Sequence, residues 1–443
     1  MGQLLPGCEG RQARPPLPLS LSSTWHPNLW HPTTQVASSE PPLRVIRGSG
    51  ALLELADGRR LIDAISSWWV TLHGHAEPSI AAAIAAQALE LEQVIFANFR
   101  HPQAERLSMR LSAASGLERL FFSDNGSTAV EVALKIAWQW WRNQGSPRRQ
   151  LIAFEGAYHG DTFGAMALGE RSLFSAPFEP LLCPVARAPW PASWWDDEAV
   201  EAKETAALAR LEELLAVPTA AVILEPLVQG ASGMAMVRPE FLRGVQERVR
   251  QAGALLITDE VMTGFGRTGS LFAAQAAGLQ PDLVALSKGL TGGFLPMGVT
   301  LAREALYQGF ISDNPAHTLY HGHSFTANPL GCAAANASLS LLEARPGLFG
   351  SFEARHQPLL LRLARHPRVC RPRLRGTIAA FDLKVENPGY LNGAGRQIQR
   401  HALGHGVFLR PLGHVVYLLP PLCLDDAQLE RCYAAIEDSL DQL

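Results

Sequence analysis

The chain has few cysteines, and none of them are closely paired. Its six cysteines are scattered over 443 residues, without a Cys-x-x-Cys or a mixed Cys/His spacing. Such spacings are typical of zinc sites, and dense cysteine is typical of small secreted domains held by disulfides. The sequence therefore predicts neither a metal site nor a disulfide framework, and it favours a reducing compartment, the cytoplasm.

Excess charge and long apolar runs are also missing. The formal net charge is only −3, so there is no basic footprint of the kind that nucleic acid or an anionic membrane needs. No stretch reaches the ~18 consecutive apolar residues of a membrane span. The N-terminus has no basic start followed by an apolar core, and we expect residues 1–24 to form a disordered extension. These absences exclude nucleic acid and membrane as partners.

What is present is the composition of an ordinary globular protein, 47% hydrophobic and 18% charged, with room for one large core and a smaller one. Residues 25–80 carry short strand signals separated by turns, which predict an antiparallel meander. Over residues 81–335, helical stretches alternate with strands at 120–123, 151–154, 221–224, 255–258 and 283–286, which are apolar nearly throughout rather than at every second residue. This pattern predicts an α/β fold with a mostly parallel central sheet buried on both faces. Residues 336–443 are expected to complete a smaller α+β domain with residues 25–80, built from both chain ends.

Two polar residues stand at the ends of neighbouring apolar strands, where ligands of parallel sheets bind. Asp259 ends one strand, and Lys288 follows the next strand, just before Gly289. A lysine that bonds to the cofactor and a carboxylate that pairs with its pyridine nitrogen are what a pyridoxal 5′-phosphate site requires. Taken singly, each residue is better explained by a structural role, Asp259 as a helix cap or solvated edge residue and Lys288 as a surface C-cap. Together they favour the cofactor site.

Other strand ends carry matching elements. Gly126 and Ser127 lie in a turn that feeds a helix, where free backbone N–H groups bind phosphate; a plain N-cap is the alternative. Tyr158, between glycines, can stack on an aromatic cofactor or merely pack on the core. His159 beside it is compatible with an ordinary loop residue. Glu225 is suited to orient the cofactor or a neighbouring side chain, with a structural ion pair as the alternative.

Several motifs, in this order and spacing, resemble the class III aminotransferases, which are fold-type I pyridoxal-phosphate enzymes. They are Asn125-Gly126-Ser127, Tyr158-His159-Gly160, Glu225-Pro226, Asp259-Glu260-Val261, Gly264-Phe265-Gly266-Arg267-Thr268-Gly269 and Ser287-Lys288-Gly289. The resemblance implies that Lys288 bonds to the cofactor and shuttles a proton, that Asp259 partners the pyridine nitrogen and that Tyr158 stacks on the ring. It also implies a homodimer with shared active sites, in which Ser324 of one subunit joins Gly126 and Ser127 of the other at the phosphate.

A second set of motifs is similar to the 7,8-diaminononanoate synthase family of biotin biosynthesis. These motifs are Trp30-His31-Pro32, Ser66-Ser67-Trp68-Trp69, the stretch from His159 to Met166, Leu290-Thr291-Gly292-Gly293 and Arg410-Pro411. That family transfers an amino group from S-adenosylmethionine to 8-amino-7-oxononanoate.

The ketone substrate of that family is a long aliphatic chain with a terminal carboxylate, which calls for an apolar channel ending in a cation. Trp68 and Trp69 can line such a channel, Arg410 can bind the carboxylate, and Gly322 and Tyr417 complete the expected substrate site. The alternatives are core packing for the tryptophans, a surface ion pair for Arg410 and strand core for Tyr417.

The chain departs from the family pattern at specific positions. Thr33 replaces an aromatic, usually tyrosine, that shapes the donor pocket, so a lysine- or other ω-amine-dependent aminotransferase, or an aminomutase, stays open as an alternative. Gly322-His323-Ser324 replaces Gly-Pro-Thr but keeps a hydroxyl. Ala231 stands where ornithine- and GABA-type relatives carry glutamate, which disfavours those substrates. A catalytically silent cofactor-binding protein is the alternative from another class, and intact Lys288 and Asp259 argue against it.

Overall fold

The computed structural model describes residues 25–26 and 28–443. The predicted disordered extension, residues 1–24, lies outside the described residues. In the part of the chain that the structure describes, no helix has the length and apolar character needed to cross a membrane. No cluster of histidine, cysteine and acidic side chains suited to a metal ion occurs in these residues either.

The N-terminal segment forms the predicted antiparallel meander. Its strands β1 (Val45–Ser49), β2 (Leu52–Leu55) and β3 (Arg60–Asp63) pair in sequence order. After β3 comes a single turn, α1 (Ser66–Trp69). A strand from the other end of the chain, β15 (Val407–Phe408), pairs in parallel with β3. Both chain ends therefore meet in one small sheet.

The central sheet has seven strands among the described residues. Their spatial order is β4 (Arg119–Ser123), β12 (Gly298–Ala302), β11 (Leu283–Leu286), β10 (Leu255–Asp259), β7 (Thr219–Leu224), β5 (Gln150–Phe154) and β6 (Ala186–Ala188). Pairing from β11 through β6 is parallel, which confirms the predicted sheet, whereas β12 runs antiparallel to both neighbours. Strand β12 was not among the predicted strands. The chain reverses through Gly292 and Gly293 without a crossover helix, so β12 returns antiparallel.

Helices cover this sheet because each buries an apolar stripe. They are α2 (Pro78–Glu90), α3 (Pro102–Ser115), α4 (Gly126–Asn143), α5 (Phe163–Leu168), α6 (Val200–Leu215), α7 (Pro239–Gln251), α8 (Ala273–Ala277), α9 (Glu304–Gln308) and α10 (Pro329–Glu343). In α4, for example, Val130, Ala133 and Ala137 recur at helical spacing and are fully buried against the sheet. A short hairpin, β8 (Val228–Gln229) and β9 (Ala235–Met236), follows β7.

The C-terminal part forms an antiparallel sheet covered by helices. The strands are β13 (Val369–Arg375), β14 (Ile378–Leu383) and β16 (Val415–Leu418), and the helices are α11 (Leu348–Leu363), α12 (Ala394–Gly404) and α13 (Asp426–Asp441). One buried cluster joins Ile62 of the meander to Phe381 and Ile436. The domain boundaries expected at residues 80 and 335 stay a prediction, and residue 335 lies inside α10.

Candidate active site

A cavity of about 680 Å³ opens at the carboxyl ends of the central strands. The residues that the sequence singled out at five strand ends line it together, namely Ser127 after β4, Tyr158 after β5, Glu225 after β7, Asp259 of β10 and Lys288 after β11. Parallel strands bring their carboxyl ends to one edge, which explains why residues far apart in sequence converge here.

Lys288 lines this cavity, and the pKa of its amine is lower than usual. Burial lowers the pKa of Lys288, and the nearby charges of Asp259 and Glu225 oppose the shift only in part. Its Nζ atom lies 4.7 Å from the centre of the Trp69 ring. The backbone of Lys288 has a φ of +46°, a strained conformation that is common at functional positions. The amine is thus suited to act as a nucleophile and a proton carrier.

Asp259 is a buried carboxylate with a fixed orientation. Its Oδ2 lies 2.7 Å from Nδ1 of His159, and its Oδ1 accepts a hydrogen bond from the amide of Val261 at 3.0 Å. Asp259 and His159 are 4% and 3% exposed, so solvent does not compete for these bonds. His159, which the sequence left as an ordinary loop residue, is therefore the direct partner of the predicted carboxylate.

Glu225 ties two loops of the site together. One carboxyl oxygen accepts from the amide of Tyr158 at 3.2 Å and the other from the amide of Gly230 at 3.0 Å. Burial raises the pKa of Glu225 to about 7, and the charge of Asp259 adds to the rise while that of His159 reduces it. Glu225 thus holds the loop that carries Tyr158, a residue that is 41% exposed and lines the cavity. The role is a positioning one, and its hydrogen-bond partners among the described residues are backbone amides.

The first turn of α4 leaves free donors at the cavity wall. Asn125 and Thr128 form a capping box, which satisfies the amide of Thr128. The amides of Gly126 and Ser127 have no intrahelical acceptor, because they precede the first helical hydrogen bond. A side chain at position 126 would lie 2.6 Å from a methyl of Val261. The arrangement is a cradle for an anion such as phosphate.

Two residues that fix this cradle were missed from the sequence. The hydroxyls of Ser127 and Thr162 lie 2.7 Å apart, and Thr162 donates to Glu131 at 2.6 Å. Glu131 also accepts from the amide of Gly164 at 2.8 Å. Because Glu131 is four positions after Ser127, the two share one face of α4. The four-residue spacing between Ser127 and Glu131 was therefore the feature of the sequence that could have indicated these contacts.

The paired tryptophans lie on an unusual backbone. All four residues of α1 have left-handed φ values, from +45° at Ser67 to +74° at Trp69, at a cost of roughly 1–2 kcal/mol each. Trp69 lines the cavity, and its Nε1 donates to the hydroxyl of Tyr417 at 3.0 Å. Trp68 is 39% exposed and lies under Arg410. Trp69 therefore faces the cavity with Tyr417 hydrogen-bonded to it, whereas Trp68, Arg410 and Tyr417 are not among the residues that line the cavity.

Arg410 lies on the outer side of these tryptophans. Its guanidinium carbon is 4.3 Å from the centre of the Trp68 ring. One Nη atom donates to the hydroxyl of Thr33 at 3.3 Å. In the described ranges, 25–26 and 28–443, no carboxylate forms an ion pair with it. The predicted carboxylate-binding cation is therefore held in place with its charge still available.

Gly322 and Ser324 do not line the cavity of the single chain. Both lie in an exposed loop, where the carbonyl of Ser324 accepts a hydrogen bond from the side chain of Gln93 at 2.6 Å. Their roles at the phosphate and the substrate stay predictions, and for Ser324 the role calls for a second subunit.

Comparison with known proteins gives one family. Residues 33–440 match the family model described as aminotransferase class-III. The chain is 60% identical to adenosylmethionine-8-amino-7-oxononanoate aminotransferase of Synechococcus elongatus, over 94% of this chain and 99% of that protein. The crystal structure of the Methanocaldococcus jannaschii protein of that name superimposes with a TM-score of 0.87, at 30% identity over 94% and 97% of the two chains. An amine transaminase from an uncultivated Pseudomonas species, in its PLP-bound form, gives 0.88 at 31% identity over 95% and 100%.

The site's own features fit pyridoxal phosphate. Gly126 and Ser127 offer amides to a phosphate, and the ring of Tyr158 is exposed into the same cavity as the amine of Lys288. The orientation of Asp259 is fixed by His159 at 2.7 Å, as a partner of a pyridine nitrogen requires. The chain belongs to the class-III aminotransferases, which use pyridoxal phosphate.

Proposed function

We propose that this protein transfers an amino group from S-adenosylmethionine to 8-amino-7-oxononanoate and forms 7,8-diaminononanoate, a step of biotin biosynthesis. The observation that carries the proposal is the 60% identity to the Synechococcus elongatus aminotransferase of that name, across nearly the full length of both chains. The cation and aromatic rings beside the cavity agree with a substrate that is aliphatic and ends in a carboxylate.

The inner residues of the site would hold the cofactor. Gly126 and Ser127 bind its phosphate, Tyr158 covers one face of the ring, and Asp259 pairs with the pyridine nitrogen. When bound, pyridoxal phosphate supplies an electron-accepting ring that stabilises negative charge beside the transferred nitrogen. Asp259 would keep that nitrogen protonated, since His159 and the Val261 amide hold the carboxylate oxygens in place.

Lys288 would move the proton. Its lowered pKa leaves a larger share of the amine uncharged at neutral pH, so Nζ can accept a proton from the donor carbon. In the second half of the reaction Nζ returns a proton to the acceptor carbon. Donor and acceptor thus use one site in turn, and we expect ping-pong kinetics.

The outer residues would select the ketone. Trp68 and Trp69 line its aliphatic chain, with Tyr417 supporting Trp69, and Arg410 binds the carboxylate through a planar fork of donors. The stacking of Arg410 on Trp68 orients that fork before the substrate arrives.

We also propose a homodimer with shared active sites, located in the cytoplasm. The loop that carries Gly322 and Ser324 exposes Tyr320 and Phe325, which are 74% and 65% accessible in the single chain. Two exposed aromatic side chains within one short loop are typical of a protein interface. Packing against a second copy would bring Ser324 to the partner's phosphate site.

The test is single-turnover spectroscopy of the purified holoenzyme. S-adenosylmethionine and lysine are mixed with it separately, and conversion of the bound cofactor to its amine form is followed by absorbance. 8-Amino-7-oxononanoate is then added. Conversion by S-adenosylmethionine and recovery by the ketone are expected. Conversion by lysine alone would show that Thr33 marks a different donor, and failure of the ketone to restore the spectrum would overturn the acceptor.

A further inference from the structure

The left-handed turn α1 has no glycine to favour it. Its four residues, Ser66 to Trp69, all carry side chains that prefer negative φ. Such a backbone persists only where surrounding contacts over-determine it. The contacts that hold this turn therefore decide where both tryptophan rings lie.

Asp63 makes several of those contacts at the start of the turn. It is the last residue of β3 and is completely buried. Its Oδ1 accepts from the amide of Ile65 at 3.3 Å, and its Oδ2 accepts from the hydroxyl of Ser67 at 2.7 Å. The same Oδ2 lies 2.9 Å from Nε2 of His75. One carboxylate thus joins the strand, the turn and the segment beyond the turn.

Other bonds tether both ends of the turn, at Ser66 and at Trp69, to distant parts of the chain. The hydroxyl of Ser66 donates to the carbonyl of Leu419 at 2.8 Å. Buried Arg267 donates to the carbonyl of Trp69 at 3.4 Å and to that of Pro420 at 2.7 Å. The bonds of Arg267 fix the end of the turn, whereas Ser66 and Asp63 share its beginning. Asp63 is the side chain there that bonds to both Ile65 and Ser67.

We propose that Asp63 is a positioning residue that sets the acceptor specificity of the enzyme through the two tryptophans. It holds α1 left-handed, which places Trp68 under Arg410 and Trp69 beside Lys288. The specificity rests on the proposed function, because it concerns an acceptor that carries a carboxylate. The effect on the tryptophans does not rest on it.

The first arm of the test is near-ultraviolet circular dichroism of the cofactor-free protein, which needs no substrate. The double variant Trp68→Phe/Trp69→Phe defines the band that this pair contributes. Asp63→Ala should lose most of that band while keeping the far-ultraviolet spectrum. Asp57→Ala is the matched control, because Asp57 also bonds within the meander, to Arg59, but does not contact α1. It should keep the band.

Ser67→Ala covers the case in which Asp63→Ala does not fold. It removes a single hydrogen bond of Asp63 and leaves the contact with His75. We expect it to lose part of the band. A complete band in the folded Asp63→Ala protein, or in Ser67→Ala where Asp63→Ala does not fold, would overturn the proposal.

The second arm compares 8-amino-7-oxononanoate with its methyl ester as acceptors. Asp63→Ala should reduce kcat/KM for the acid by about 100-fold, the usual effect of misplacing a substrate-binding group, and for the ester by less. An equal loss with both acceptors would reduce Asp63 to a structural role and overturn the specificity. If the wild-type protein uses neither acceptor, the proposed function fails, and the near-ultraviolet band still decides the positioning role.

Discussion

The inner and outer parts of the site are built in different ways. The inner part, from Ser127 to Lys288 in sequence, consists of residues at the ends of regular strands of one sheet. The outer part brings Thr33, Trp68, Trp69, Arg410 and Tyr417 from both chain ends, and its tryptophans lie on a left-handed turn. In the proposed function, the chemistry common to both substrates belongs to the regular scaffold, and the selection of one substrate belongs to the strained, composite one.

Substitutions of the inner residues should therefore affect the half-reactions with donor and with acceptor alike. Substitutions of the outer residues should affect mainly the half-reaction with the acceptor. Each part therefore has its own kinetic signature, since the two half-reactions can be measured separately.

Lys288→Ala should have the largest effect and should strike both half-reactions. Loss of the amine removes the group that carries the proton, so we expect turnover to fall by at least about 10⁴-fold with the fold intact. Single-turnover rates with donor and with acceptor measure this. Lys384→Ala, at an exposed lysine, is the control. Normal turnover in Lys288→Ala would refute the assignment of this lysine.

Arg410→Ala should affect the half-reaction with the ketone but not the half-reaction with the donor. Loss of a charged hydrogen-bonding partner of the carboxylate should raise KM for 8-amino-7-oxononanoate roughly 10- to 100-fold. The rate of the donor half-reaction should change little. Arg400→Ala removes an exposed arginine that pairs only with Glu40 among the described residues, and it serves as control. An equal effect on both half-reactions would erase the distinction between inner and outer residues.

Glu225 should give the inner part a pH-dependent stability. Burial raises its pKa from the ordinary value of 4.5 to about 7, so the folded chain holds the proton more tightly than the unfolded chain. The stabilisation is present at low pH and is lost as pH rises through about 7. Glu225→Gln removes this titration. Between pH 5 and pH 8 the melting temperature of the cofactor-free wild-type protein should therefore fall by a few degrees more than that of the cofactor-free variant. Parallel melting curves for the two proteins would contradict the buried, protonated carboxyl.

Thr33 should have the smallest effect. Thr33→Val removes the hydroxyl that accepts from Arg410 while keeping the side-chain shape, and Thr33→Ser keeps the hydroxyl. We expect KM for the ketone to rise roughly threefold in the valine variant alone, the effect of one modest hydrogen bond. A change in the donor half-reaction instead would place Thr33 at the donor pocket, as the family's aromatic is.

The inner part was largely predictable because it depends on local pattern. Apolar strands followed by Gly126, Asp259 and Lys288 can be recognised in sequence, and a parallel sheet brings such strand ends together. Contacts such as those between Asp259 and His159 and between Thr162 and Glu131 were not predictable, since they depend on how loops from different strands meet. Strand β12 was missed for a related reason, since its direction follows from a chain reversal.

The sequence by itself determined the parallel strands of the central sheet, the family and several of the residues that line the cavity, because apolar periodicity and strand-end motifs are local. Only the tertiary structure decided the left-handed turn of Trp68 and Trp69, since nothing local favours it. It also decided that Asp63 bonds to Ser67 of this turn and that Thr33 bonds to Arg410. The bonds of Ser66 with Leu419 and of Arg410 with Thr33 join residues hundreds of positions apart, and such contacts stabilise a strained backbone only once the chain has folded.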